Sequence, residues 1–387
     1  MQLLKNAALI FQSRSTFFNF FFTLKHQNLI QKVKLLIQII RAQINPMPRQ
    51  EEVFFNSVDK IVIAGTLLIP ETVPSAAVLL IAGMGASDRD YTNYFGKKPY
   101  KLLAESLVQQ GVLVLRVDKR GVGMSSGNFS PDVTSADLAQ DVIASINFLK
   151  TRAEVNQKQI GLIGHSEGGL IAVMVAKDMP ELNFIILLSP AIATSIDAVL
   201  ENTRLQLLAD AASAELIEHN DKIYRTILQI ILSTANVEKA EKLAIQLFKE
   251  YVATLPQKLE KEMATQFFAL NAFNISPRVK FFNSLWYRNF FTYDTTAWFK
   301  NIHMPILILN GELDWITSHK IALPLVQEAV AAAGNKKLEI ILLPKLNHNL
   351  QTCKTGSILE YESLDEAIAP EVIEKIGNWI KTKIKDD

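Results

Sequence analysis

The chain has 387 residues, 49% of them hydrophobic and 20% charged, with a formal net charge of +1. It is long enough to bury a large core, and its even charge, with no basic face evident, argues against nucleic acid as a partner. The single cysteine, Cys353, excludes an intrachain disulfide and a cysteine-based metal cluster. The histidines show no paired spacing, so neither a metal nor another cofactor is expected.

The first fifty residues form a segment of their own, with seven Lys or Arg side chains and no acidic one before Glu51. The apolar run 17–22 is too short to span a bilayer, and no secretory cleavage pattern follows it. Three readings stay open for this extension. It is a basic helix over 30–40 lying on a membrane surface, a targeting segment, or an artefact of a start that belongs at Met47. A cytoplasmic protein is expected, membrane-peripheral if residues 1–46 are a genuine anchor.

From there strand-like and helix-like runs alternate. Leading strands at 53–56 and 61–69 are expected to add an antiparallel edge. Residues 76–82 read as a buried parallel strand ending in Gly83-Met84-Gly85, and 112–117 as another. After the second comes Asp118-Lys119-Arg120-Gly121-Val122-Gly123. The dinucleotide fingerprint needs a third glycine where Ser126 stands and a helix directly after it, so nucleotide binding is rejected. Asp118 and Arg120 are expected to form an ion pair bracing this loop.

A strand at 159–164 and a helix at 170–177 enclose Gly164-His165-Ser166-Glu167-Gly168. A serine nucleophile has to be lifted off the backbone on a sharp strand-to-helix turn whose flanks leave room only for glycine. Ser166 is therefore the candidate nucleophile. The negative oxygen of an acyl-transfer intermediate needs fixed N–H donors. The amide of Glu167 and one from the loop after the 76–82 strand, Met84 before Gly83, are the candidates for that oxyanion hole.

Beyond a strand at 183–188, residues 191–300 are rich in Ala, Leu, Glu and Lys and read as a helical cap. Its aromatic end, 281–291, is expected mostly to pack the cap, with some rings lining an apolar acyl pocket. Strands at 305–309 and 338–343 follow, each ending just before a polar loop. Those loops supply Asp314 and His348, in the chain order Ser, Asp, His that this chemistry uses on such a sheet. Glu312 is the competing acid. His165, beside the nucleophile, is expected to bond near the elbow rather than act as base.

Six apolar runs alternating with helices require crossover connections, hence an α/β fold with a mostly parallel sheet between helical layers. The domain reading is an extension at 1–50, a core at 51–190 and 301–387, and the cap at 191–300. The chain resembles the α/β-hydrolase superfamily and, within it, the serine aminopeptidase S33-like branch, especially EstD-type bacterial carboxylesterases. The resemblance runs from about residue 51 to the C-terminus. It rests on Gly83 to Asp90, Asp118 to Gly123, the elbow, Phe291-Thr292-Tyr293-Asp294, Asn310 to Asp314 and Asn347 to Gln351. The group's oxyanion loop usually reads glycine-serine-glycine-proline, and Met84 and Ala86 replace the serine and proline here.

The leading functional expectation is a carboxylic ester hydrolase acting on a small-molecule acyl substrate through an acyl-enzyme. An acyltransferase or an amide or peptide hydrolase would use the same residues. A non-catalytic, membrane-recruited binding protein is the reading from a different class.

Overall fold

The structure, a computed structural model, describes residues 48–384. The chain divides into two units, Met1–Met47 and Pro48–Asp387, and the expectations for residues 1–46 and for a start at Met47 lie outside the described residues. No helix among the described residues is long and apolar enough to cross a membrane.

Eight strands form one sheet: β1 (Arg49–Asn56), β2 (Val62–Ile69), β3 (Ser75–Ile81), β4 (Leu113–Val117), β5 (Val155–His165), β6 (Phe184–Leu188), β7 (Ile306–Gly311) and β8 (Leu338–Leu343). Their order is β1-β2-β4-β3-β5-β6-β7-β8. β1 and β2 run antiparallel to their neighbours, and every pairing from β4 to β8 is parallel. The central strands are apolar along their whole length because helices cover both faces. All seven residues of β3 and all five of β6 are buried.

One face is covered by α1 (Pro99–Gln109) and by a C-terminal helix at Pro370–Lys383, and the other by α2 (Ser135–Lys150) and α3 (Glu167–Ala176). Thr134 and Asp137 close a capping box at the start of α2. α3 is apolar all round, which suits a helix sealed on every side.

Seven helices lie between β6 and β7: α4 (Ile196–Ala209), α5 (Ala214–Ser233), α6 (Val237–Val252), α7 (Gln257–Thr265), α8 (Ile275–Phe282), α9 (Leu285–Phe290) and α10 (Thr295–Phe299). Side chains of Ser195, Ser213, Asn236, Ser284 and Asp294 cap five of them. The group has its own apolar core, built on residues such as Ile223, Ile227, Phe248, Val279 and Phe282. α11 (His319–Ala332) follows β7, and the C-terminal helix Pro370–Lys383 is α12.

One expectation about the polar framework is corrected. Asp118 does not pair with Arg120. Its carboxylate takes a two-point grip from Arg89, at 3.2 Å from Nε and 2.7 Å from Nη2, while Arg120 grips Asp141 on α2 at 2.7 and 2.8 Å. Two side chains separated by one residue on a turn point apart, and each found a carboxylate or guanidinium brought in by another segment. Among the described residues the first strand starts at Arg49, which is in register with Ile69 and whose guanidinium bonds Glu154.

Candidate active site

β5 runs straight into α3 through a single residue, Ser166, whose backbone sits at φ 54 and ψ −118. That is a costly conformation for a residue with a side chain, and the surroundings enforce it. A Cβ on Gly164 would meet the Gly168 carbonyl oxygen at 2.1 Å, and one on Gly168 would meet the Ile81 carbonyl oxygen at 2.0 Å. The turn is locked from both sides: Ser166 N–H donates to the Leu188 carbonyl at 2.9 Å, and its own carbonyl accepts from Gly169 and Ala191, each at 3.0 Å. α3 starts at the next residue, so its N-terminal N–H groups and its dipole face the serine.

Asp314, fully buried, lies past the end of β7. Its carboxylate accepts from the amides of Ile316 (3.0 Å) and Thr317 (2.9 Å) and from the Thr317 hydroxyl (2.8 Å). His348 Nδ1, from the loop after β8, stands 3.1 Å from each of its oxygens. Burial alone would push the Asp314 carboxyl up. The charge and hydrogen bond of His348, with the Thr317 donors, outweigh it and hold the group below its ordinary value. Because an ionised carboxylate only accepts, Nδ1 carries the proton and Nε2 is left to act as a base. Glu312 is apart from this arrangement, its carboxylate accepting from the Lys345 amide at 3.4 Å.

His165 joins the two halves. Its Nε2 is 2.8 Å from the His348 carbonyl oxygen and its Nδ1 is 3.0 Å from the Tyr91 hydroxyl. Burial, with the nearby His348 charge, drives its pKa down to about 3. The ring is therefore neutral, with its proton on Nε2 facing the carbonyl and Nδ1 accepting from Tyr91. Its ring centroid lies 4.8 Å from that of His348, so His165 supports the second histidine from behind. Among the described residues Ser166 Oγ makes no hydrogen bond to His348, a contact that in such sites commonly tightens only with substrate.

Ser166 opens into a cavity of about 210 Å³, where Met84 and Glu167 also stand. Its roof is aromatic, formed by Phe281, Trp286, Tyr287 and Phe290 from α8 and α9. A second cavity of about 280 Å³ lies beyond Trp286, against Phe129 and Pro131. Trp286, Phe281, Met84 and Glu167 border both. Ser166, Asp314, His348, Met84 and Glu167 are the candidates the sequence names; the supporting contacts made by Thr317, Tyr91, Lys119 and Trp286 are not among its signals. These contacts span up to 128 residues of chain, and no local pattern encodes those long-range ones. No group of three or more His, Cys, Asp or Glu side chains among the described residues could hold a metal ion.

Residues 73–226 match the family described as serine aminopeptidase, S33. Two curated relatives are similar over part of the chain. The thiohydrolase apmlB of Arthrinium phaeospermum is 28% identical over 145 residues, 38% of this chain and 44% of the relative. The polyketide transferase af380 of Aspergillus fumigatus is 28% identical over 131 residues, 33% of this chain and 40% of the relative. The chain thus spans less than half the length of either. Among solved structures, the Pyrococcus furiosus esterase Pf2001 superimposes with a TM-score of 0.51 at 16% identity, covering 87% of this chain and 91% of that one; at that identity the likeness concerns the fold. By its sheet order and its crossover connections the chain has the α/β-hydrolase fold, and across β3 to β6 it is similar to the S33 serine aminopeptidase family.

Proposed function

We propose that the chain is a serine hydrolase that cleaves carboxylic esters through an acyl-enzyme. Ser166 Oγ attacks the carbonyl carbon while His348 Nε2 takes its proton. The amides of Glu167 and Met84 receive the oxyanion, and the same imidazolium then protonates the departing alcohol. Water, activated by His348, releases the acid and restores the serine. Asp314 keeps the imidazole in the tautomer that leaves Nε2 free and stabilises its charged form.

One observation carries this reading: a buried, ionised Asp314 bonded to His348, whose ring adjoins that of His165, the neighbour in sequence of a serine held in a strained turn at an apolar cavity. Strain of this kind persists only where the surroundings over-determine it. Transfer of the acyl group to an alcohol in place of water uses the same residues, and the transferase among the relatives favours testing it. Adding a competing alcohol and analysing the products separates the two outcomes.

A fluorophosphonate probe should label Ser166, as read by mass spectrometry, and the protein should hydrolyse p-nitrophenyl butyrate. Ser166→Ala should abolish labelling and reduce turnover by up to about 10⁶-fold, leaving the residual rate that the other site elements support. Labelling elsewhere, or an active Ser166→Ala, would refute the assignment.

A further inference from the structure

Lys119 takes part in neither the sheet nor the Asp314–His348 pair, yet its side chain is only 8% exposed. Its ammonium donates to the Gly83 carbonyl oxygen at 2.5 Å and to Glu167 Oε2 at 3.3 Å. The other oxygen of the Glu167 carboxylate accepts from the Ser135 hydroxyl at 2.8 Å and from the Trp286 indole N–H. A buried ion pair adds little net stability once desolvation is counted, so this one calls for a different account.

Gly83 C=O and Met84 N–H belong to the same planar trans peptide, in which the two groups point in opposite directions. A cation that holds the carbonyl therefore sets where the Met84 N–H points, and by polarising the unit it makes that N–H a stronger donor. The same cation grips, through its carboxylate, the residue whose N–H opens α3. A Cβ placed on Gly83 would lie 3.0 Å from Ser166 Cβ, so the pinned peptide adjoins the serine itself.

We propose that Lys119 is a positioning residue for the oxyanion hole: one buried ammonium aligns the two backbone donors, Met84 N–H through Gly83 and Glu167 N–H through its side chain. This rests on the reading of Ser166 as the nucleophile. Lys119 itself touches no substrate; it acts through the peptide it orients.

The test uses Lys119→Met, which keeps the stem and removes the charge, and the double variant Lys119→Met/Glu167→Gln, which leaves no uncompensated buried carboxylate. With p-nitrophenyl butyrate, kcat should fall about 10²-fold, the scale of losing one oxyanion donor, while KM stays within threefold. Affinity for phenylboronic acid, which forms a tetrahedral adduct on the serine, should fall by a similar factor, and affinity for benzoate should not change. A folded double variant with wild-type kcat and boronate affinity overturns the proposal. So does an equal loss of boronate and benzoate binding, which would report a general distortion of the site. If the wild-type Ser166 is neither labelled by fluorophosphonate nor bound by the boronic acid, the serine-hydrolase reading falls and this inference with it. A labelled Ser166 with an indifferent Lys119→Met/Glu167→Gln removes this inference alone.

Discussion

His165 and His348 sit 4.8 Å apart, ring to ring, and only one of them is arranged as a base. His348 has an ionised carboxylate on Nδ1; His165 has a carbonyl on one nitrogen and a phenol on the other. Burial and then the neighbouring His348 charge outweigh the bond to the carbonyl, which favours the charged ring, and hold the pKa of His165 at about 3 against an ordinary 6.5. The sign of the consequence follows directly. Between pH 6.5 and 3 the unfolded chain binds a proton at this site that the folded chain does not, so His165 draws stability down as pH falls through that window and has no effect above it. The full effect by pH 3 is roughly 5 kcal/mol. His165→Gln keeps a donor for the His348 carbonyl and an acceptor for Tyr91 without a titrating group. Urea unfolding at pH 7, 5 and 4 should show the wild type losing stability faster than the variant, and parallel losses would refute the assignment. Ser166, Asp314 and His348 were legible in the sequence because each lies just past a strand end, in an order the topology dictates. The partners of Asp118, Arg120 and Lys119 were not, because Arg89, Asp141 and Glu167 reach them from other segments.

The strands show the same division at the level of elements. A strand buried on both faces is an unbroken apolar run, and most of the parallel strands were readable to within a few residues for that reason; the edge strand β8 is as apolar in sequence although only its Leu343 is buried. β5 is the exception. It starts at Val155, five residues before its apolar stretch, because Val155 pairs with Ser75 across an irregularity while the solvent-facing Asn156 to Gln159 stay polar. The helices between β6 and β7 were legible as helices, and some rings of their aromatic end line the cavity at Ser166 as expected, but the contacts that fix Trp286 were not legible. Trp286 is fixed by its indole N–H on Glu167 and by its backbone N–H on the Pro131 carbonyl at 3.3 Å. In that position it forms the wall between cavities of about 210 and 280 Å³, each below the roughly 300 Å³ of a typical ligand pocket. Trp286→Ala should join them. With p-nitrophenyl esters of increasing length, the preferred acyl chain should become several carbons longer than in the wild type, whereas Trp286→Phe, which keeps most of the wall, should shift it less. An unchanged chain-length profile in a folded Trp286→Ala would show that the second cavity receives no part of the substrate.

For the molecule as a whole, the question is how much of the chain the sheet and its candidate site need. Every side chain assigned to the site lies between Gly83 and His348, but the sheet that holds them begins at Arg49. β1 is not a decorative edge. It pairs with β2 over all eight of its residues, buries Val53, and stacks Phe55 on Phe148 of α2 at 4.7 Å between centroids. Arg49 further ties it to Glu154 at the start of β5. The composition change at Glu51 therefore falls inside a strand, and the structural boundary falls at Met47–Pro48. A chain starting at Met47 should match the full-length protein in fluorophosphonate labelling rate and melting temperature. A chain starting at Ser57 loses β1, leaves the edge of β2 unpaired and uncovers apolar side chains beneath it. It should melt several degrees lower and aggregate on warming, as followed by calorimetry and light scattering. If instead the Met47 chain is destabilised or slow to label, residues 1–46 contribute to the unit that carries Ser166.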